Sequence, residues 1–258
     1  MRPGEAVELL GVGLANGAWV AARTGLELAR YGRTSWWWRL RLALARAWLG
    51  DSPLRVLARE GPSSGLDEED LVYGETLPGT AFELLELLEV RRGDCLVDLG
   101  CGRGVVPLVA GLAFGARAVG LEALEGFVRR GRRAVRLLDL DRVSFLQGDF
   151  RVGRLPRGSV YFLAGTSLGP SSWTAVTRRL AAVARPGVRA ASLSQPLPAE
   201  DWEDLGSLSM AFSWGRATVF LHRRKGSPGG SASRNPRRPG SGSSSAHARS
   251  KGTGDGTA

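Results

Sequence analysis

The sequence predicts an α/β fold: a doubly wound, mostly parallel sheet of seven strands, preceded by a helical N-terminal extension. Three observations predict it. The apolar run Cys95-Leu96-Val97 ends in Asp98-Leu99-Gly100-Cys101-Gly102-Arg103-Gly104, a glycine-rich corner leading directly into the apolar stretch Val105 to Phe114. Strand-like and helix-like segments then alternate as far as residue 193, the pattern of βαβ units. Residues 207–213 and 216–222 finally face each other around Gly215 as a late hairpin.

Residues 1–60 read as helical. The apolar stretch Ala6 to Ala22 is interrupted by Glu8, and a membrane span needs about 20 apolar residues. Glu5 and Glu8 also stand where a signal peptide would carry basic residues. Next come Trp36-Trp37-Trp38-Arg39-Leu40-Arg41-Leu42 and Trp48-Leu49. Trp, Leu and Arg on one short helix suit either a weak peripheral membrane contact through residues 1–50 or packing on the following domain, with arginines reaching water. Residues 61–72, with Asp67-Glu68-Glu69-Asp70, form a polar connector opening a domain over 61–224. A helix is expected from Pro78 to about Glu89. Strands are expected at 95–99, 117–122, 142–147, 159–164 and 187–193, and helices near 103–114, 123–138 and 171–184. Residues 225–258 are Gly, Ser, Pro and Arg with almost no large apolar side chain, and are expected to be disordered.

The chain has 258 residues, 43% of them hydrophobic, enough for a sizeable core. Its net charge of +10 lies at the ends: residues 1–60 carry +4, residues 223–258 carry +7, and the rest is close to neutral. The central domain therefore gives no sign of a general nucleic-acid surface, and no specific nucleic-acid partner is expected. Cys95 and Cys101 flank one strand without a CxxC partner or a nearby His, which excludes a disulfide framework and predicts no metal. Two buried free thiols in a reducing cytoplasm are the expectation.

The chemistry gathers at the C-terminal ends of the strands, where open α/β sheets bind ligands. Glycines at 100, 102 and 104 do not have dinucleotide spacing, and no Lys-Ser/Thr pair follows as in a P-loop. An acidic residue followed by G-x-G-x-G resembles motif I of the class I S-adenosylmethionine-dependent methyltransferases. Further along, Glu122 can accept both ribose hydroxyls, Gly148-Asp149-Phe150 can bind and stack adenine, and Ala164 to Pro170 faces the sulfonium methyl. The amino-nitrogen signature Asn/Asp-Pro-Pro-Tyr is absent after the fourth strand, and neither cysteine stands there for cytosine C5 chemistry. His222, at the end of the last strand, reads as structural, and no general base stands out.

A narrower resemblance runs over residues 71–222. Val72-Tyr73-Gly74-Glu75-Thr76, the 97–104 turn, Gly148-Asp149-Phe150, Gly169-Pro170, Ser194-Gln195-Pro196 and Ser213-Trp214 to Leu221-His222 are similar to the disruptor-of-telomeric-silencing family, the non-SET histone lysine methyltransferases. This resemblance implies that Tyr73 and Thr76 fold over the methionine part of the cofactor. It also implies that Glu122 binds ribose, Asp149 and Phe150 bind adenine, and Trp214 lines the channel for a target lysine. The cofactor set is then Tyr73, Thr76, Asp98, Gly100, Gly102, Gly104, Glu122, Asp149, Phe150 and Ala164, with Tyr73 and Trp214 the catalytic candidates. The family carries Asn-Asn-Phe where this chain has Ala164-Gly165-Thr166, which removes polar groups beside the methyl and weakens the histone-type assignment. Leu197-Pro198 to Trp202, with the apolar N-terminal segment, is also similar to the ATP-synthase c-subunit lysine methyltransferases. The expected activity is methyl transfer from S-adenosylmethionine to a protein side-chain amine. The alternatives are a small-molecule or lipid methyltransferase at the membrane surface, and a non-catalytic cofactor-binding module.

Overall fold

The computed structural model describes residues 3–67, 71, 73–165 and 168–226, with side chains from Asn16 onward. Helices α1 (Pro3–Tyr31), α2 (Ser35–Ala47) and α3 (Pro53–Glu60) precede α4 (Pro78–Leu87) and the sheet. The sheet elements follow as β1 (Cys95–Leu99), α5 (Val105–Phe114), β2 (Arg117–Glu122), α6 (Glu125–Leu138), β3 (Val143–Gln147), β4 (Val160–Leu163), α7 (Pro170–Val183), β5 (Arg189–Leu193), β6 (Trp202–Phe212) and β7 (Gly215–Arg224). The seven strands run in the order β3-β2-β1-β4-β5-β7-β6. β1 to β5 pair in parallel, and β7 inserts antiparallel between β5 and β6. The chain order reverses between β1 and β4, so the crevice beyond their C-terminal ends is the topological switch point of the sheet.

Strand periodicity divides the core into two layers. On β1, Leu96 faces the layer of α2, α4, α5 and α6, while Val97 and Leu99 face that of α7. On β4, Val160 and Phe162 join the first layer and Tyr161 and Leu163 the second. The N-terminal helices belong to this body. Trp37, Leu40, Ala43, Leu44, Ala47 and Trp48 of the α2 segment are buried, and Trp48 meets Phe127 of α6 at 5.2 Å between ring centroids. Trp36 stacks on Phe82 of α4 at 5.2 Å. One side of α2 is therefore core. Among the described residues no helix is long and apolar enough to cross a membrane.

The expected boundaries move in places. α5 begins at Val105 rather than 103 because Gly102 and Gly104 both have positive φ, which a right-handed helix cannot use. β6 begins at Trp202, five residues early, and the hairpin turn is Ser213-Trp214, with Gly215 already paired to Phe212. Cys101 is buried as expected, but Cys95, at the exposed start of β1, is only partly so. Lys225 lies within the described residues, its ammonium on the Ala199 carbonyl at 2.6 Å. The expected disorder of 227–258 concerns residues outside those described, as do Val72, Thr166 and Ser167.

Gly104 was expected to touch the cofactor, but it sits behind the turn. A Cβ on it would lie 2.2 Å from the Phe145 ring, which Gly120 and Gly131 also approach too closely to carry a side chain. Its φ of +79° adds a second penalty. We expect Gly104→Ala to destabilise the fold by about 2–4 kcal/mol, read as a shift in the urea midpoint. An unchanged midpoint would show that the Phe145 ring moves aside freely.

Candidate active site

A single cavity at the switch point is lined by Tyr73, Thr76, Asp98, Gly100, Gly102, Glu122, Asp149, Phe150, Ala164 and Trp214, nine of the ten expected cofactor residues together with the acceptor-channel candidate. Its floor is the β1–α5 turn. Gly100 and Gly102 have φ of +78° and +50°, so the turn bares its backbone to the cavity. The N–H groups of Gly100 and Cys101 donate to the Leu121 carbonyl, tying the turn to the end of β2.

Glu122 holds the turn from the other side. Its Oε2 accepts the Gly102 N–H at 2.9 Å and its Oε1 the Leu124 N–H at 3.1 Å. Each oxygen keeps a further lone pair, which matches a vicinal diol. Asp98 is 2% exposed, and among the described residues nothing donates a hydrogen bond to its carboxylate. Burial raises the pKa of both carboxyls, and the Glu122 charge raises that of Asp98 further. Two buried carboxyls facing one cavity, one of them without a donor, suit a ligand carrying positive charge and hydroxyl or ammonium donors. S-adenosylmethionine carries a sulfonium, an ammonium and a ribose diol, so these residues fit it. Cys101 lies beside them, but burial and the Asp98 charge push its thiol up, away from a reactive thiolate.

At the end expected to take adenine, Phe150 closes towards Gly100, where a Cβ would stand 3.2 Å from the ring. Asp149 is not open as expected. Its oxygens take the Arg151 N–H at 2.8 Å and the Arg151 guanidinium at 2.9–3.1 Å. An adenine amino group would share Asp149 with this arginine, which the sequence reading did not single out. Leu57 of α3, Leu66 and Phe127 also line the cavity, so the N-terminal extension contributes to it.

The 73–76 segment forms the roof and is latched at Gly74 and Glu75. The Glu75 N–H donates to Ser213 Oγ at 2.9 Å, and the Ser213 N–H returns to the Glu75 carbonyl at 3.0 Å. Gly74 lies against Trp214 so closely that a Cβ would sit 2.3 Å from its ring. The Glu75 carboxylate receives Arg103 Nη1 at 2.9 and 3.1 Å. Tyr73 stacks on Phe127 at 5.6 Å, and burial together with the Glu75 charge raises its pKa, keeping the phenol neutral. Arg103 is a further residue not singled out from the sequence: it occupies a variable place in G-x-G-x-G, and its partner is 28 residues away.

His222 is outside this cavity. Its Nε2 accepts the Leu197 N–H at 3.2 Å and lies 3.1 Å from Ser192 Oγ. Burial lowers its pKa to about 4, so it is a neutral structural group at pH 7.

A family model for protein-L-isoaspartate(D-aspartate) O-methyltransferase matches residues 75–172. It covers less than half of the chain and is a different family from the lysine methyltransferases that residues 72–76 resemble. The chain is 30% identical over 111 residues to a protein of Pyrobaculum aerophilum described as a probable cobalt-precorrin-6B C(15)-methyltransferase (decarboxylating), covering 39% of this chain and 56% of that one. The chain thus spans little more than half the length of this relative. Among solved structures, an RNA methyltransferase from Salinibacter ruber in complex with S-adenosyl-L-homocysteine is 27% identical, with a TM-score of 0.50, over 58% of this chain and 93% of that one. TrmN from Thermus thermophilus shares the fold at 20% identity and a TM-score of 0.52, over 65% of this chain and 53% of that one. Fold, cavity and comparisons together define the class: this is a class I S-adenosylmethionine-dependent methyltransferase fold, with a crevice at the β1/β4 switch point whose residues fit the cofactor.

Proposed function

We propose that the chain is an S-adenosylmethionine-dependent methyltransferase acting on a protein side-chain amine, a lysine. The observation that carries this reading is that Trp214, seated on Gly74, lines the cavity together with Phe162, Ala164 and Leu168. These four side chains are largely apolar. They suit an aliphatic chain ending in a small nucleophile, and they offer little to read the polar edge of a base. When bound, the cofactor supplies a methyl already activated by the sulfonium, so the protein's task is positioning and exclusion of water. Asp98, Glu122 and the bared glycine turn would hold the cofactor, and Tyr73 and Trp214 would border the approach. The apolar lining disfavours a charged ammonium and so lowers the pKa of an entering lysine, which removes the need for a dedicated base.

The relatives favour a second reading, an RNA or small-molecule acceptor, because the Salinibacter protein and the cobalt-precorrin protein are described as acting on those. Incubating the protein with methyl-labelled S-adenosylmethionine and fractionated lysate separates the two. The expected result is label in protein, recovered as methyl-lysine after hydrolysis, and at least tenfold slower with Trp214→Ala when both proteins are compared at saturating cofactor. Label in RNA or in small molecules overturns the lysine assignment, and tight cofactor binding with no label in any fraction identifies a non-catalytic binding module.

A further inference from the structure

The side of α2 turned away from the core is unlike an ordinary solvated helix face. Trp38 is 46% exposed, Leu42 52%, Leu49 79%, and Leu54 at the start of α3 is 69% exposed. Trp38 and Leu42 stand one turn apart on α2, with Arg39 and Arg46 along one flank, and Leu49 follows in the turn that leaves the helix. The buried side of the same helix, Trp37, Leu40, Ala43, Leu44 and Ala47, already satisfies the core, so the outer side is not needed for folding. The neighbouring α6, on which α2 packs, exposes Arg129, Arg132, Arg133 and Arg136, with Leu137 at 46%. Arg39 bridges the two helices through the Leu138 carbonyl at 2.8 Å. Among the described residues Arg46, Arg55, Arg133 and Arg136 have no ion-pair partner.

We propose that this α2–α3–α6 face docks on an anionic lipid surface, with Trp38, Leu42, Leu49 and Leu54 entering the headgroup–acyl boundary and the arginines meeting lipid phosphates. Charge complementarity selects this occupant. The face joins unpaired arginines to exposed aliphatic leucines, and the second component is what an interfacial helix buries. A nucleic acid would satisfy the arginines but would leave Leu42, Leu49 and Leu54 in water, since stacking needs aromatic rings. The inference does not depend on the acceptor: it concerns where the protein works, and it stands whether lysine or another group is methylated. Docking also bears on the cofactor site, because Trp48, which ends α2, lies between the guanidinium of Arg103 in the glycine turn (5.5 Å) and that of Arg130 (4.9 Å).

The test is co-sedimentation of the full chain with vesicles of phosphatidylcholine alone and of phosphatidylcholine with phosphatidylglycerol, at low and high salt. We expect binding to the anionic vesicles only, weakened by salt. We expect a loss of at least tenfold in Leu42→Glu/Leu49→Glu and a similar loss in Arg46→Glu/Arg55→Glu. All four positions are exposed, and retained S-adenosylmethionine affinity checks that each variant is folded. Vesicle binding unaffected by either double variant would assign it to the basic C-terminal segment and overturn the proposal. So would an absence of vesicle binding at low salt, with or without binding of a single-stranded RNA probe.

Discussion

Glu122→Ala is expected to weaken S-adenosylmethionine binding at least tenfold, about 1.4 kcal/mol, and Asp98→Asn by a similar factor, as measured by calorimetry. Glu122 does two things at once. It offers two oxygens to the cavity, and it holds the Gly102 and Leu124 N–H groups that shape the turn. Its removal therefore loses both the charge-assisted bonds to a ligand and the backbone order under it. Asp98 adds an effect of opposite sign on stability. Burial and the Glu122 charge raise its pKa, so the folded chain binds a proton there more readily than the unfolded chain. Its contribution to stability is complete below the unfolded value near 4 and declines as pH rises through the folded value. Asp98→Asn should accordingly stabilise the ligand-free protein near neutral pH by about 1 kcal/mol and flatten the fall in Tm as pH rises above the unfolded value. A cationic ligand opposes these upward shifts, so any proton held by Asp98 or Glu122 should leave on cofactor binding, visible as a buffer-dependent heat. Unchanged affinity in both variants would remove these carboxylates from the site.

The site was legible in the sequence where its causes are local. Asp98, Gly100 and Gly102 read as a ligand corner because a strand, a bare backbone and a helix start follow one another within ten residues, and these three do line the cavity. Gly104 belongs to the same motif, but its reason is packing against Phe145, forty residues on, and no short-range pattern carries that information. The same limit hid Arg103 and Arg151. The first meets Glu75 only because the roof segment crosses the turn, and the second covers Asp149 by folding back on its own neighbour. The tryptophans of α2 were conspicuous in composition, yet composition could not divide Trp36, Trp37 and Trp48, which pack on the body, from Trp38, which faces out. That division requires the positions of α4 and α6. The β6–β7 hairpin was visible, but its tip matters for what it grips, and Ser213 meets Glu75 across 138 residues.

Arg103→Ala is expected to raise the dissociation constant for S-adenosylmethionine at least tenfold with a smaller effect on fold stability, because it opens the roof and removes only one contact at the edge of the core, that with Trp48. The Arg103–Glu75 pair is about one-fifth exposed on each side, drier than a surface ion pair, and both carboxylate oxygens meet one guanidinium nitrogen. Arg103 also lies 5.5 Å over the Trp48 ring, so its head is placed from below as well as from above. Ser213 holds the backbone of the same Glu75 independently, and Ser213→Ala alone should therefore cost less than Arg103→Ala. A double-mutant cycle separates a latch from a general electrostatic effect. If Arg103 acts through Glu75, Arg103→Ala/Glu75→Ala should bind the cofactor no worse than Arg103→Ala alone, leaving a coupling of about 1 kcal/mol or more. Additive losses would mean that Arg103 and Glu75 each act on the ligand separately. Cofactor on- and off-rates refine the result: a latch that closes over bound ligand should show its loss chiefly as faster dissociation, because the entrance to the cavity is unaltered while the roof no longer stays shut.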